Sequence, residues 1–185
     1  MAAKIEKIVC TFIGDFKVGD NLVRNADPLC SLSTTSEKGA FNKLIVIQAG
    51  SIVEAALGAI IYRTQNFTNE GVPNISKEDR EAIANKTVEV FNNIIQVMES
   101  YKILKGLGDD IYNELHKLRK YRNKVHIQID VDIKGISRDE STAFSRDIVA
   151  WALEFTIRVL KHLNEQFARP KDLGQYAHEL SIPCA

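Results

Sequence analysis

The stretch LIVIQAGSIVEAALGAIIY, Leu44 to Tyr62, runs for 19 residues with a single charge, Glu54, near its midpoint. A run of this kind has only two ordinary destinations, a membrane span or the central helix of a folded domain. An ionised carboxylate at mid-span is costly in lipid, and Gln48, Ser51 and two glycines weaken the membrane alternative further. The segments around the run are amphipathic and need an apolar partner. We therefore read a buried core helix over about residues 40–65 and expect no membrane association. The opening MAAKIEKIVCTF carries no secretion-type apolar leader, so a cytoplasmic location is expected.

The rest of the chain is read against that helix. Ile5, Ile8, Val9, Phe12, Ile13 and Phe16 recur at helical spacing and predict a first amphipathic helix, with a strand through IVCTFI as the alternative. A polar connection containing Asp27-Pro28 and SLSTTSEKG follows. Ser76 and Asp79 resemble a capping box that opens a long helix reaching about Leu104. Its apolar side holds Ile83, Phe91, Ile94, Ile95 and Met98. After Gly106 and Gly108, Asp109 or Asp110 caps a further helix. IQIDVDI, residues 127–133, alternates apolar and acidic positions and predicts one short β segment that needs a pairing partner. Ser137 and Glu140 then open a last long helix, with Phe144, Ile148, Trp151, Phe155 and Val159 on one stripe and Arg169-Pro170 as its stop.

The expected fold is all-α: an antiparallel four-helix up-and-down bundle with an extra N-terminal helix and the short β segment. Residues 1–39 would form the N-terminal helix and connection, 40–168 the bundle, and 169–185 a polar tail. Lys+Arg and Asp+Glu balance at 24 each, which excludes a generic polyanion-coating protein. Cys10, Cys30 and Cys184 are odd in number and far apart, as expected of free thiols. The four histidines are scattered, so neither a metal nor another cofactor is expected. Phosphate-loop, dinucleotide, HExxH and nucleophile-elbow motifs do not occur.

One stretch, LRKYRNKVHI from Leu118 to Ile127, does not fit a plain core helix. On a helical wheel Ile111, Leu115, Leu118 and Val125 share a face, Arg122 falls in their midst, and His126 follows one turn later. Lys117, Lys120 and Lys124 point the other way, as ordinary solvent-face charges. A guanidinium on a core-facing stripe must snorkel, pair with an acid or line a cleft. Glu54 is the natural partner. A buried Glu54–Arg122 pair that fixes helix register and a functional cleft both explain these residues, and the sequence leaves the two open.

The apolar helix with its central glutamate, followed late in the chain by LRKYRNKVHI, resembles the HEPN superfamily of higher-eukaryote and prokaryote nucleotide-binding domains. The likeness spans roughly residues 40–165 in helix order. The family pattern is an arginine, usually followed by a polar residue, with four to six residues between it and a histidine, a spacing from which Arg122 and His126 depart. Here Asn123 follows Arg122, with three residues between Arg122 and His126, whereas Arg119 gives the six-residue spacing but precedes Lys120. The resemblance implies a metal-independent endoribonuclease of a bacterial toxin–antitoxin or antiphage system, or an inactive homodimeric relative binding RNA, nucleotide or a protein partner. It implies His126 as the proton-transfer group, Arg122 as the phosphate holder and Asn123 as the orienting residue. Arg119 and Lys124 would attract the RNA backbone. It also implies a homodimer, and an antitoxin-type protein as a further partner.

Overall fold

The computed structural model describes residues 4–14, 17–67, 70, 72–125, 135–170 and 178–184. The chain is mostly helical with one small sheet. In chain order its elements are β1 (Ile5–Cys10), α1 (Lys17–Thr35), α2 (Asn42–Asn66), α3 (Lys77–Ala84), α4 (Phe91–Ser100), α5 (Ile111–Asn123), α6 (Glu140–Ala143), α7 (Arg146–Gln166) and β2 (His178–Pro183).

The apolar run forms α2, and α1, α3, α4, α5 and α7 all pack against it. By length and composition α2 could cross a membrane, with a mean hydropathy of 2.1 over its best window, yet 56% of that window is buried inside the fold. Ile45, Ile52, Val53, Leu57 and Ile60 are at most 1% exposed. Burying a side chain of this size contributes about 1.5–3 kcal/mol, so the helix dominates the core.

The N-terminal segment departs from the expected helix. Ile5–Cys10 is a strand whose period-two pattern buries Ile8 and Cys10 and exposes Ile5 and Val9. It pairs antiparallel with β2, Ile8 opposite Leu180 and Lys7 opposite Glu179. The segment expected to be a polar tail thus supplies Leu180 and Ile182, both fully buried, to the core. Helical and strand spacing coincide over so few apolar residues, and the deciding partner lies at the far end of the chain. The β segment expected at residues 127–133 lies outside the described residues.

The stretch expected to be a polar connection is largely α1. Pro28 sits inside this helix on its exposed face, where the lost backbone donor faces water. The Ser/Thr-rich end stays helical because Ser31, Thr34 and Thr35 return their hydroxyls to carbonyls one turn back, at 2.7–3.2 Å. Its buried side, Leu22, Ala26 and Leu29, faces α2 and β2.

Two expected long helices are each broken. Ser76 caps α3 through the Asp79 N–H at 3.0 Å, as the sequence implied, but the helix stops at Ala84 and restarts at Phe91. Side chains of α2 satisfy both sides of the break. Gln65 Nε2 donates to the carbonyls of Ile83 and Lys86 at 3.1 and 2.9 Å, and the Phe91 N–H donates to the Glu54 carboxylate. The second break separates the short α6 from α7. The α6 cap is Asp139, which accepts from the Thr142 N–H at 3.0 Å, in place of the expected Ser137–Glu140 pair.

A buried ionic cluster joins the end of α2 to the segment after α7. Arg63, only 3% exposed, donates from Nη1 to the Phe167 carbonyl at 2.6 Å and from Nε approaches Glu70 at 3.3 Å. Arg169 pairs with the same carboxylate. Neither the fold class nor any motif flagged these three residues in advance.

Candidate functional site

The sequence singled out the C-terminal half of α5 and one residue of α2, and the structure brings those two places together. Gly50 makes the approach close: a Cβ added there would lie 2.9 Å from Arg122 Cβ and 3.2 Å from its Cγ. With only a hydrogen at Gly50, the aliphatic stem of Arg122 lies along α2. Its guanidinium reaches Glu54 one turn further on, with Nη2 2.5 Å from Oε2.

The pair is asymmetric in burial. The Glu54 side chain is 16% exposed and that of Arg122 36%. Burial pushes the Glu54 carboxyl above its ordinary value of 4.5, while the Arg122 charge and the Phe91 N–H hold it down. Glu54 therefore has two structural duties, as counter-ion to α5 and as surrogate cap for α4, which has no side-chain cap of its own. Asn123 is exposed, and its Oδ1 accepts from Arg122 Nη1 at 3.2 Å. That bond orients the guanidinium from the open side.

The helical wheel needs one correction. The buried stripe of α5 is Ile111, Leu115, Leu118 and Tyr121. Val125 is 45% exposed, and Arg122 borders the stripe instead of occupying its middle. Tyr121 wins the core position because its ring packs edge-on to Phe144 and tilts against Trp151, with centroids 5.8 and 6.1 Å apart. Lys117, expected to be a plain solvent charge, places its ammonium 4.0 Å from the centroid of the Trp151 ring. Lys124 donates to the Arg138 carbonyl at 3.5 Å, next to the segment that returns towards α6.

Arg119 is half-buried, with an Nε that makes no hydrogen bond among the described residues. It lies one turn from His116, whose buried Nδ1 is also without a partner there. Burial, then the charge of Arg119, lowers the His116 pKa below 6.5, with Glu99 opposing. A neutral imidazole beside a guanidinium is thus present on the described part of α5. Sequence reasoning passed it over, although the i, i+3 spacing of His116 and Arg119 was visible. His126 lies outside the described residues.

Arg122, Asn123 and Glu54 form one contact group, and Arg119 sits a turn earlier with His116. Such a group can hold a phosphate or carboxylate once Glu54 yields its hold on Arg122. No three of His, Cys, Asp and Glu converge among the described residues. Compared with known proteins, the chain matches no family model, and neither a curated protein nor a solved structure is significantly similar to it.

Proposed function

We propose that this chain is a HEPN-like helical domain directed at RNA. In this reading α2, α4, α5 and α7 form the antiparallel up-and-down bundle of that family, α1 is the added N-terminal helix, and two copies complete one site. The observation that carries the reading is the placement of Arg122. It stands at the end of a helix against the central apolar helix, is oriented by Asn123, and keeps a third of its side chain open to solvent. A rigid, partly exposed fork of donors at that place suits a backbone phosphate.

The chemistry proposed is transesterification. His126 removes the proton of a ribose 2′-hydroxyl, and the oxygen attacks the adjacent phosphorus. The bond to the 5′-oxygen breaks and that oxygen takes up a proton from water, leaving a 2′,3′-cyclic phosphate and a 5′-hydroxyl end, while His126 returns its proton to solvent. Arg122 stabilises the charge that grows on the phosphoryl oxygens, and Arg119 and Lys124 add attraction to the RNA backbone. Incubating the protein with RNA in EDTA tests this. Cleavage should persist without divalent metal and vanish in His126→Ala. A metal requirement, or cleavage that survives the substitution, refutes it.

The Glu54 ion pair favours a second reading, a homodimeric module that binds RNA, nucleotide or an antitoxin-type protein without turnover. There Arg122 is already neutralised, and its work is to fix α5 on α2. Glu54→Gln separates the two readings. Releasing Arg122 should strengthen RNA binding or cleavage under the first, and should leave both unchanged under the second.

A further inference from the structure

An arginine withdrawn from water needs a counter-charge. Arg63 and Arg169 share Glu70, and Arg122 holds Glu54. Arg119 on α5 is half-buried as well, yet neither an acid nor a hydrogen-bond acceptor meets its guanidinium among the described residues. Its Nε is enclosed and its two Nη groups are not, so the open end of the fork faces outwards.

Two further groups gather at this guanidinium. His116 stands three residues before Arg119 and four before Lys120, the two spacings that bring side chains together on a helix. Lys120, expected to be a solvent-face charge, is half-buried and likewise has no acid partner among the described residues. The His116 ring encloses Nδ1 against the protein and leaves Nε2 open. Burial first, then Arg119 and, more weakly, Lys120 hold this imidazole below its ordinary 6.5, and Glu99 opposes them from α4. Tyr112 fixes this half of α5 on α4: its hydroxyl donates to the Met98 carbonyl at 2.9 Å and accepts from the Leu104 N–H at 3.2 Å. The three groups are thus held in place on a rigid element.

Packing does not call for this arrangement. The buried stripe of α5 is complete in Ile111, Leu115, Leu118 and Tyr121 without any of the three. Like charges one turn apart repel, so the imidazole beside Arg119 and Lys120 stays neutral. An oxyanion relieves all of them together. It gives the guanidinium fork its missing acceptor, neutralises the ammonium, and accepts a hydrogen bond from the open imidazole nitrogen.

We propose that His116, Arg119 and Lys120 bind one phosphate group, with Arg119 as the fork, Lys120 as a point charge and His116 donating from Nε2. Its place on a strand rests on the RNA reading above: it is then the phosphate next to the one at Arg122. Arg119 and His116 lie about 4.5 and 9 Å back from Arg122 along the helix axis, each about 60° further round. A strand held at both places crosses α5 obliquely.

NMR of the histidine ring Cε1–H signals on the whole chain, with His116 assigned from His116→Gln, tests the site. Inorganic phosphate just above neutral pH should move the His116 signal saturably, and chloride at the same ionic strength should not. At saturating phosphate the His116 titration midpoint should rise by roughly half a pH unit or more, since an anion beside the ring favours its charged form. Arg119→Gln should weaken phosphate at least tenfold with circular dichroism unchanged. Should that variant not fold, Lys120→Gln takes its place, with an expected loss of several-fold. The alignment is tested with 2′-O-methyl tri-uridylate, whose blocked 2′-oxygens prevent cleavage. It should displace phosphate from His116 and bind at least tenfold more tightly to the wild type than to Arg122→Met. No saturable shift, an equal shift with chloride, or undiminished binding in a folded variant overturns the site. Strand binding indifferent to Arg122→Met overturns the alignment. A protein that binds phosphate here and never cuts RNA fails the ribonuclease reading and keeps the site.

Discussion

Replacing Arg122 by methionine tests the central contact of the site. Methionine keeps an unbranched stem over Gly50, so the close packing that the absent Cβ allows there survives while the charge is lost. Removing one partner of a fully buried ion pair costs about 3–5 kcal/mol, and disrupting an exposed pair costs ~0–1 kcal/mol. Glu54 is 16% exposed and Arg122 36%, so the expected loss, discounted for solvent screening, is about 1–2 kcal/mol. For a chain of this length that is roughly 2–8 °C in Tm.

The pH dependence distinguishes this explanation from lost packing. The Glu54 carboxyl is already raised above 4.5, and without Arg122 one of the two influences holding it down disappears. In the window above 4.5 the folded state then binds more protons than the unfolded state, so stability falls as pH climbs. The Arg122→Met defect should therefore be full at neutral pH and shrink as pH falls towards 4.5. Denaturant titration followed by far-UV circular dichroism at both pH values measures this, with Glu54→Gln/Arg122→Met as the double variant. An equal loss at both pH values, or strictly additive single losses, refutes the reasoning.

The two mid-helix glycines of α2 should respond with opposite signs to alanine. Gly50→Ala forces a methyl into the Arg122 stem and should cost about 1–3 kcal/mol, whereas Gly58→Ala should stabilise by about 0.5–1 kcal/mol, both read from denaturation midpoints. Burial pushes the Cys10 thiol up to about 12. Iodoacetamide near neutral pH should thus label Cys10 last, and only as fast as the chain opens, which peptide mass spectrometry follows; early labelling of Cys10 counts against its buried place in β1. Removing residues 178–185 should abolish cooperative unfolding in calorimetry, because Ile8 and Cys10 lose their cover and α1 loses the strand it packs against.

What the sequence made legible follows the range of the forces involved. The core helix was readable at both ends to within two residues, because its apolar content allows little else. The Ser76 cap was readable because capping is a contact over three residues. The Glu54–Arg122 partnership was readable because two charges on apolar faces had to find one another. Of the strands, β1 was readable only as the alternative through IVCTFI and β2 not at all, since β1 acquires its identity from β2 and no local pattern announces a partner so far along the chain. The helix breaks were hidden for a related reason: Gln65 and Glu54, on another helix, satisfy the backbone groups that make the α3–α4 gap tolerable. The cluster of Arg63, Glu70 and Arg169 was missed because each residue, taken singly, reads as an unremarkable loop or helix-end charge.

The sheet carries a consequence for how the molecule assembles. Lys7 meets Glu179 across 172 positions, and the Cys184 N–H donates to the Lys4 carbonyl at 2.7 Å. A chain leaving the ribosome therefore makes β1 long before β2, and the greasy side of β1 stays unsheltered over the 172 positions between Lys7 and Glu179. Splicing residue 184 to residue 4 through a short loop, and opening the backbone elsewhere, would turn this slowest of closures into a local hairpin. Such a permutant should reach the same shape sooner.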